Sequence, residues 1–342
     1  MSVRAPASRP NRRRLVVLAV TAVTLVLVWP VLVEVYRRVP DVTTVGAGWL
    51  ALIGVMSGLH FVTAWALYRV VLRTPGWFDI ATSQLASNAA SHVAPAGSAV
   101  GAGMQLRMLT LAGYPASQAA TALGATTVLG TLAGYIILPL VVLLASVLGT
   151  AVEPRLIGAM WAGAAVLTVL LIVIIVFAVR DAPWLWTARV ATSVLRRLRR
   201  PGNADELGAR LLAERDFMRA ALRERAWLVT LLVLAQPLAD YVVLYVALLA
   251  VGADVNPAAA LAAFIVSNVA GLIPLTPGGL GFVEAGLGGV LTIAGAATAE
   301  ANLTVVTYRL AVTWVPAIAG AIALAMFHRR HRQRPTTAIL PS

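Results

Sequence analysis

The sequence predicts an all-α polytopic membrane protein of two inverted repeats, each combining transmembrane helices with a broken, re-entrant helical hairpin. Three observations lead there. Of the 342 residues, 60% are hydrophobic and 12% charged, against roughly half and a quarter in soluble domains. The arginines fall in the gaps between long apolar runs. Two apolar segments broken by proline and glycine recur at a fixed spacing.

Each element follows in chain order. The basic start MSVRAPASRPNRRR, residues 1–14, is expected in the cytoplasm. The run LVVLAVTAVTLVLVWPVLV behind it is about long enough to span, and then meets Glu34, Tyr36, Arg37 and Arg38. A signal peptide has a shorter apolar core and a small-residue cleavage site, so this reads as a retained first helix. Apolar stretches of spanning length lie at 15–33, 49–71, 116–148, 156–179, 226–251 and 301–327. Between the second and third, and between the fifth and sixth, lie IATSQLASNAASHVAPAGSAVGAGMQLRMLTLAG and PAAALAAFIVSNVAGLIPLTPGGLGFVEAGLGGVLTIAG. Each half of these segments is short for a crossing. A pair of half-helices meeting at a break fits better, with irregular backbone shielded by protein or facing a water-filled cavity. The total is roughly six to ten helices, depending on how the hairpin halves are counted.

The N-terminal arginines, Arg69, Arg73, the stretch from Arg180 to Arg225 and the tail HRRHRQR all fall on one side in this scheme. Positive charge marks that side as cytoplasmic, with both termini there; Arg37 and Arg38 dissent. The stretch 180–225 reads as one or two helices around Pro201-Gly202, with an apolar stripe of Leu207, Leu211, Leu212, Met218 and Leu222 that suits anionic headgroups. The domain plan is a basic N-terminus at 1–14, a first membrane repeat at 15–148, a second at 149–327 containing the cytoplasmic loop 180–225, and a basic tail at 328–342.

The repeat rests on a gapless match of the hairpins. Ser87-Asn88 falls on Ser267-Asn268, Ala90 on Ala270 and Gly101 on Gly281, one constant offset throughout (268 − 88 = 180). With three crossings per half, the halves enter the membrane in opposite senses, the build of many secondary transporters. Pro274 and Pro277 end one half-helix, and Gly278, Gly279 and Gly281 open the next. The new helix's unpaired N–H groups and positive dipole end make a site for phosphate or carboxylate. Pro95 and Gly97 repeat the device more weakly.

Ionisable groups at membrane depth are functional suspects, and here they are His60, His92, Arg107, Asp240, Glu284 and Arg309. Glu284 and Arg309 are expected to form an intramembrane ion pair, with Arg309 able to meet a lipid phosphate. Arg107 is expected near the cytoplasmic surface, snorkelling or touching headgroups. Asp240 follows the Gln236-Pro237 kink. Asn88 and Asn268 are expected to satisfy backbone groups freed in the hairpins. His60, alone on an apolar helix, and His92 read as structural. Gly97/Gly101 and Gly130/Gly134 read as close helix contacts.

Several classes are excluded or disfavoured. With no cysteine there are no disulfides or zinc-thiolate sites. No H-E-x-x-H, G-x-S-x-G, P-loop or acidic metal cluster appears, so no metal or other cofactor is expected. The net charge of +13 does not signal nucleic acid, because the arginines flank apolar runs. An all-arginine, alanine-rich composition points to a high-GC bacterial source.

The stretch IPLTPGGLGFVEAGL, followed by YRLAVTWVPAIAG, resembles the flippase-like transmembrane part of lysylphosphatidylglycerol synthases and their free-standing relatives. That family's proline–proline–glycine–glycine–x–glycine–x–x–glutamate pattern falls on Pro274, Pro277, Gly278, Gly279, Gly281 and Glu284. Its later arginine, proline and glycine fall on Arg309, Pro316 and Gly320, and its upstream set on Asn88, Pro95, Gly97 and Arg107. Pro95-Ala96-Gly97 departs from the uninterrupted proline–glycine–glycine of many relatives. The resemblance implies translocation of membrane lipids or lipid-linked intermediates. The synthases carry a soluble aminoacyl-transferase domain after the membrane part, whereas HRRHRQRPTTAILPS follows the last helix here, so lipid aminoacylation by this chain is not expected.

The expectation is a flippase-like protein of the bacterial cytoplasmic membrane that moves an anionic phospholipid or lipid-linked intermediate and is not an enzyme. Its substrate-binding candidates are Glu284, Arg309, Gly278, Gly279, Gly281, Pro277, Asn268, Asn88, Arg107 and Asp240. Membrane lipids are the expected partners, with a homo-oligomer or an envelope-synthesis protein left open. The alternatives are a non-catalytic subunit of a cell-envelope synthase and an intramembrane lipid-modifying enzyme.

Overall fold

A segment inside lipid must satisfy its own backbone, and helices do so locally. The computed structural model describes residues 39–74, 76–94, 97–134, 179–197, 203–271 and 281–332, with a few isolated positions between, and is helical throughout them apart from short turns. Expectations falling on 1–32, on most of 135–178, on Pro95, on 272–280 and on the tail from 333 lie outside the described residues. Pro274, Pro277, Gly278 and Gly279 are among these.

After a 3-10 turn at Val39–Thr44 come α1 (Ala47–Leu72), α2 (Trp77–Val93), α3 (Gly97–Leu111), α4 (Ala116–Leu132), α5 (Ala182–Arg197) and α6 (Ala204–Glu224). Then follow α7 (Ala226–Ala250), α8 (Pro257–Gly271), α9 (Phe282–Ile293) and α10 (Thr298–Arg309), which runs through a π turn, Leu310–Trp314, into α11 (Val315–Arg332). Among the described residues, Ala47–Leu72, Ala226–Ala250 and Thr298–His331 are long and apolar enough to cross a membrane. The chain is therefore a multi-pass membrane protein.

The helices between them are shorter. α2, α3, α8 and α9 have 17, 15, 15 and 12 residues. At 1.5 Å per residue they reach about 18–26 Å, less than the ~30 Å hydrocarbon core. α2 packs on α3, and α8 on α9. The elements keep the spacing read from the sequence. Pro257, which starts α8, stands at the same offset from Trp77, which starts α2, as Asn268 does from Asn88. Ala226, which starts α7, falls one position short of that offset from Ala47, which starts α1.

Two apolar cores share α7. One joins α1, α2, α3, α4 and the first half of α7 through residues such as Leu67, Ile80, Leu109, Leu123 and Val233. The other joins the second half of α7 to α8, α9 and α10 through Val243, Leu248, Phe264, Leu291 and Val305. The outward faces are as apolar as the inward ones. Val55, Leu59 and Val62 on α1, and Val315, Ile318, Ile322 and Met326 on α11, form exposed stripes at helical spacing. Such stripes would aggregate in water and face lipid here. Trp49, Trp77 and Trp227 are exposed at helix starts, and Arg69 lies 4.1 Å from the ring centroid of Trp77. Those are interfacial positions for an aromatic ring.

The α5–α6 arm does more than lie on a surface. α6 packs against α1, α4 and α7, and Arg73 pairs with Glu224 at 3.0 Å. Asn203 caps α6 by accepting from the Asp205 N–H, and buried Arg215 reaches back to Asp181 and Asp216. Those carboxylates push the guanidinium pKa above its usual value, so it stays charged. The small-residue reading holds for Gly97 and Gly101. A Cβ on Gly97 would meet Ser91 O at 1.8 Å and one on Gly101 would meet Ser91 Oγ at 2.0 Å, whereas among the described residues Gly130 and Gly134 meet nothing within 4 Å.

Candidate functional site

Glu284 is fully buried at the third position of α9. Its Oε2 accepts the Gly281 N–H at 2.6 Å, closing the helix start that the glycine opens with a φ of 84°. Few side-chain-bearing residues adopt that φ, which accounts for the glycine. Its Oε1 accepts from Arg309 Nε at 2.8 Å. Arg309 is 6% exposed and also donates from Nη1 to Thr313 Oγ1 at 3.2 Å. The expected ion pair forms, and it is sealed. At the start of α9 the Gly281 N–H is taken by the Glu284 carboxylate, the kind of group that a helix N-terminus favours.

The π turn behind Arg309 has a local cause. Within it the Val315 N–H bonds back to Leu310 O. The next bond in that register would need an N–H on Pro316, which proline lacks, so the Ala311 carbonyl is freed. Ser57 of α1 donates to it at 2.9 Å. One turn further, a Cβ on Gly320 would meet Leu85 O at 2.2 Å and Ala89 Cβ at 2.8 Å, so only glycine lets α11 lie against α2. Arg309, Pro316 and Gly320 are thus three parts of one arrangement.

His92 of α2 lies within electrostatic range of both Glu284 and Arg309, and its Nδ1 is 2.8 Å from Asn88 O. Asn268 donates to Phe264 O at 2.8 Å, one turn back in its own helix, and among the described residues the buried Oδ1 of Asn88 has no hydrogen-bond partner; the breaks at 95–96 and 272–280 that the two were expected to serve lie outside the described residues. Arg107 is exposed on α3 and stands apart from the pair. Asp240 does not join Glu284 and Arg309 either. It pairs with His60 across α1 and α7, Oδ1 to Nδ1 at 3.1 Å. Ser57, Thr313 and the partnership of His60 escaped the sequence reading, since each is an ordinary residue until the packing of distant helices gives it a neighbour. Among the described residues no cluster of three metal-ligating side chains occurs.

Fold and site together define a helical, multi-pass membrane protein whose bundle seals an ion pair at the start of a short internal helix. Residues 15–320 match the family described as the lysylphosphatidylglycerol synthase TM region. The chain belongs to that family, which ties it to membrane lipid handling. No curated protein matches it.

Proposed function

We propose that the protein is a flippase-like transporter, not an enzyme, that moves a lipid with an anionic headgroup between the leaflets of the bacterial cytoplasmic membrane. The observation that carries this reading is the Glu284–Arg309 pair. A fixed cation stands beside a helix N-terminus, and the protein's own carboxylate satisfies both. A headgroup phosphate offers the same chemistry as that carboxylate, so cargo exchanges with Glu284 for Arg309 and the Gly281 N–H. In the resting state Glu284 holds the place, which spares the bilayer an unpaired charge.

Two inverted repeats with re-entrant helix pairs fit this reading. The constant offset between α2 and α8 and the shortness of α2, α3, α8 and α9 support them. In such a build the site sits between the halves, and rocking of one against the other exposes it to each side in turn. The family takes its name from a phospholipid, which supports lipid as cargo. Both termini then face the cytoplasm with the basic α5–α6 arm. Proteoliposomes carrying labelled anionic or zwitterionic phospholipid test the proposal. Faster leaflet exchange of the anionic lipid supports it, and folded protein that accelerates neither refutes it.

A further inference from the structure

His60 and Asp240 sit near the middles of their helices, α1 running Ala47–Leu72 and α7 running Ala226–Ala250. At 1.5 Å per residue each is about 15–21 Å from either helix end, the depth of the bilayer centre. Ionisable groups there are rare and mark ion or proton pathways. The Nδ1 of His60 faces Asp240 Oδ1 at 3.1 Å and the Gln236 carbonyl at 3.3 Å. Both are acceptors when Asp240 is ionised, so this nitrogen then carries the proton. Pro237, in the turn before Asp240, removes a helix donor and opens α7 at this level.

A bond made only to hold helices together looks different. Ser57, one turn earlier on α1, is 7% exposed and donates to a carbonyl across the interface. The His60 and Asp240 side chains instead keep 23% and 26% of their surface open. Tyr308 of α10 is buried within electrostatic range of both Asp240 and Arg309. Among the described residues the buried hydroxyls of Thr304 and Thr307, on the same helix, have no hydrogen-bond partner.

Tyr308, with Arg309 beyond it, is the ionisable group that α10 brings to the pair. On α7 itself Tyr241 turns away to donate to Pro257 O. α4, α8 and the π turn contain no ionisable side chain. Those of α6 and Asp79 of α2 lie toward the end of the bundle where Arg73 meets Glu224, and His92 belongs to the Glu284–Arg309 site.

We propose that His60 and Asp240 form a proton-binding site whose proton is carried with the cargo. A proton from water on one side converts neutral His60 beside the Asp240 carboxylate, net charge −1, into a neutral pair, and is released to water on the other side. Loading removes net charge from the bilayer centre as an anion crosses. The coupling rests on the lipid-transport reading, whereas the proton site stands without it.

Two measurements on the full chain in liposomes keep these apart. Infrared difference spectra recorded over a series of pH values are expected to show a carboxyl band absent from Asp240→Asn and displaced in pH by His60→Gln. An identical band in wild type and Asp240→Asn overturns the proton site. Under a one-unit pH gradient, one proton per lipid drives the labelled anionic lipid toward tenfold leaflet asymmetry. Asp240→Asn, which keeps a hydrogen-bonding side chain, is expected to exchange lipid without that asymmetry. Wild-type exchange indifferent to the gradient overturns the coupling. Absence of all lipid movement, with the Asp240 band present, overturns the lipid reading and upholds the proton site.

Discussion

Replacing Glu284 with glutamine separates its two bonds. A glutamine oxygen still accepts the Gly281 N–H, so the start of α9 survives, but the charge facing Arg309 is lost. Glu284 is fully buried and Arg309 6% exposed, so the guanidinium, left with Thr313 but no facing carboxylate, has no water to make up the lost charge. Removing one partner of a buried pair costs about 3–5 kcal/mol, a large share of a typical ~5–15 kcal/mol stability. Glu284→Ala also loses the cap, adding about 1 kcal/mol. The double variant Glu284→Gln/Arg309→Met removes the buried charge and is expected to recover about 2 kcal/mol over Glu284→Gln, because a buried ion pair replaced by apolar side chains costs less than one partner left behind. Unfolding by a denaturing detergent in mixed micelles measures all four proteins. Anionic lipid in the micelles is expected to restore Glu284→Gln more than wild type, because lipid phosphate takes the vacated place. A Glu284→Gln protein within about 0.5 kcal/mol of wild type, as for an exposed residue, refutes the reasoning.

Gly101→Ala is expected to destabilise the α2–α3 contact, since its Cβ would meet Ser91 Oγ at 2.0 Å; the cost is about 1–3 kcal/mol. Gly103→Ala, with nothing within 4 Å, is expected to be neutral or slightly stabilising in the same unfolding assay. Gly320→Ala is expected to lower thermal stability by at least as much as Gly101→Ala, because the Leu85 backbone cannot swing aside as a side chain can. Single cysteines report sidedness cleanly, because the chain has none of its own. An impermeant maleimide added outside intact cells is expected to label Asp254→Cys, while Arg210→Cys on α6 reacts only after permeabilisation.

Much of this was legible from residue order alone. Apolar runs against arginine-rich gaps gave the membrane class, and Gly97 and Gly281 stand at the starts of short helices as read from the sequence, while Pro95, Pro274 and Pro277 lie outside the described residues. Glu284 and Arg309 stood out because charge at that depth demands a partner, and each was the nearest the other had. The Ser57–Ala311 bond was not legible, because it depends on Pro316 failing to donate in a π register that sequence periodicity does not reveal. Nor was the His60–Asp240 pair, whose members lie far apart in the chain on apolar helices. Their separation, 240 − 60 = 180, equals the offset at which the two hairpin sequences match.

The central claim is that Arg309, held by Glu284, exchanges that carboxylate for a lipid headgroup. The most direct test is leaflet exchange of a labelled anionic phospholipid in proteoliposomes containing wild type, Glu284→Gln, Arg309→Ala or Gly103→Ala, with correct folding verified for each. Exchange by wild type and Gly103→Ala that Arg309→Ala abolishes and Glu284→Gln strongly impairs is the predicted result. Equal exchange by all four proteins would contradict the account.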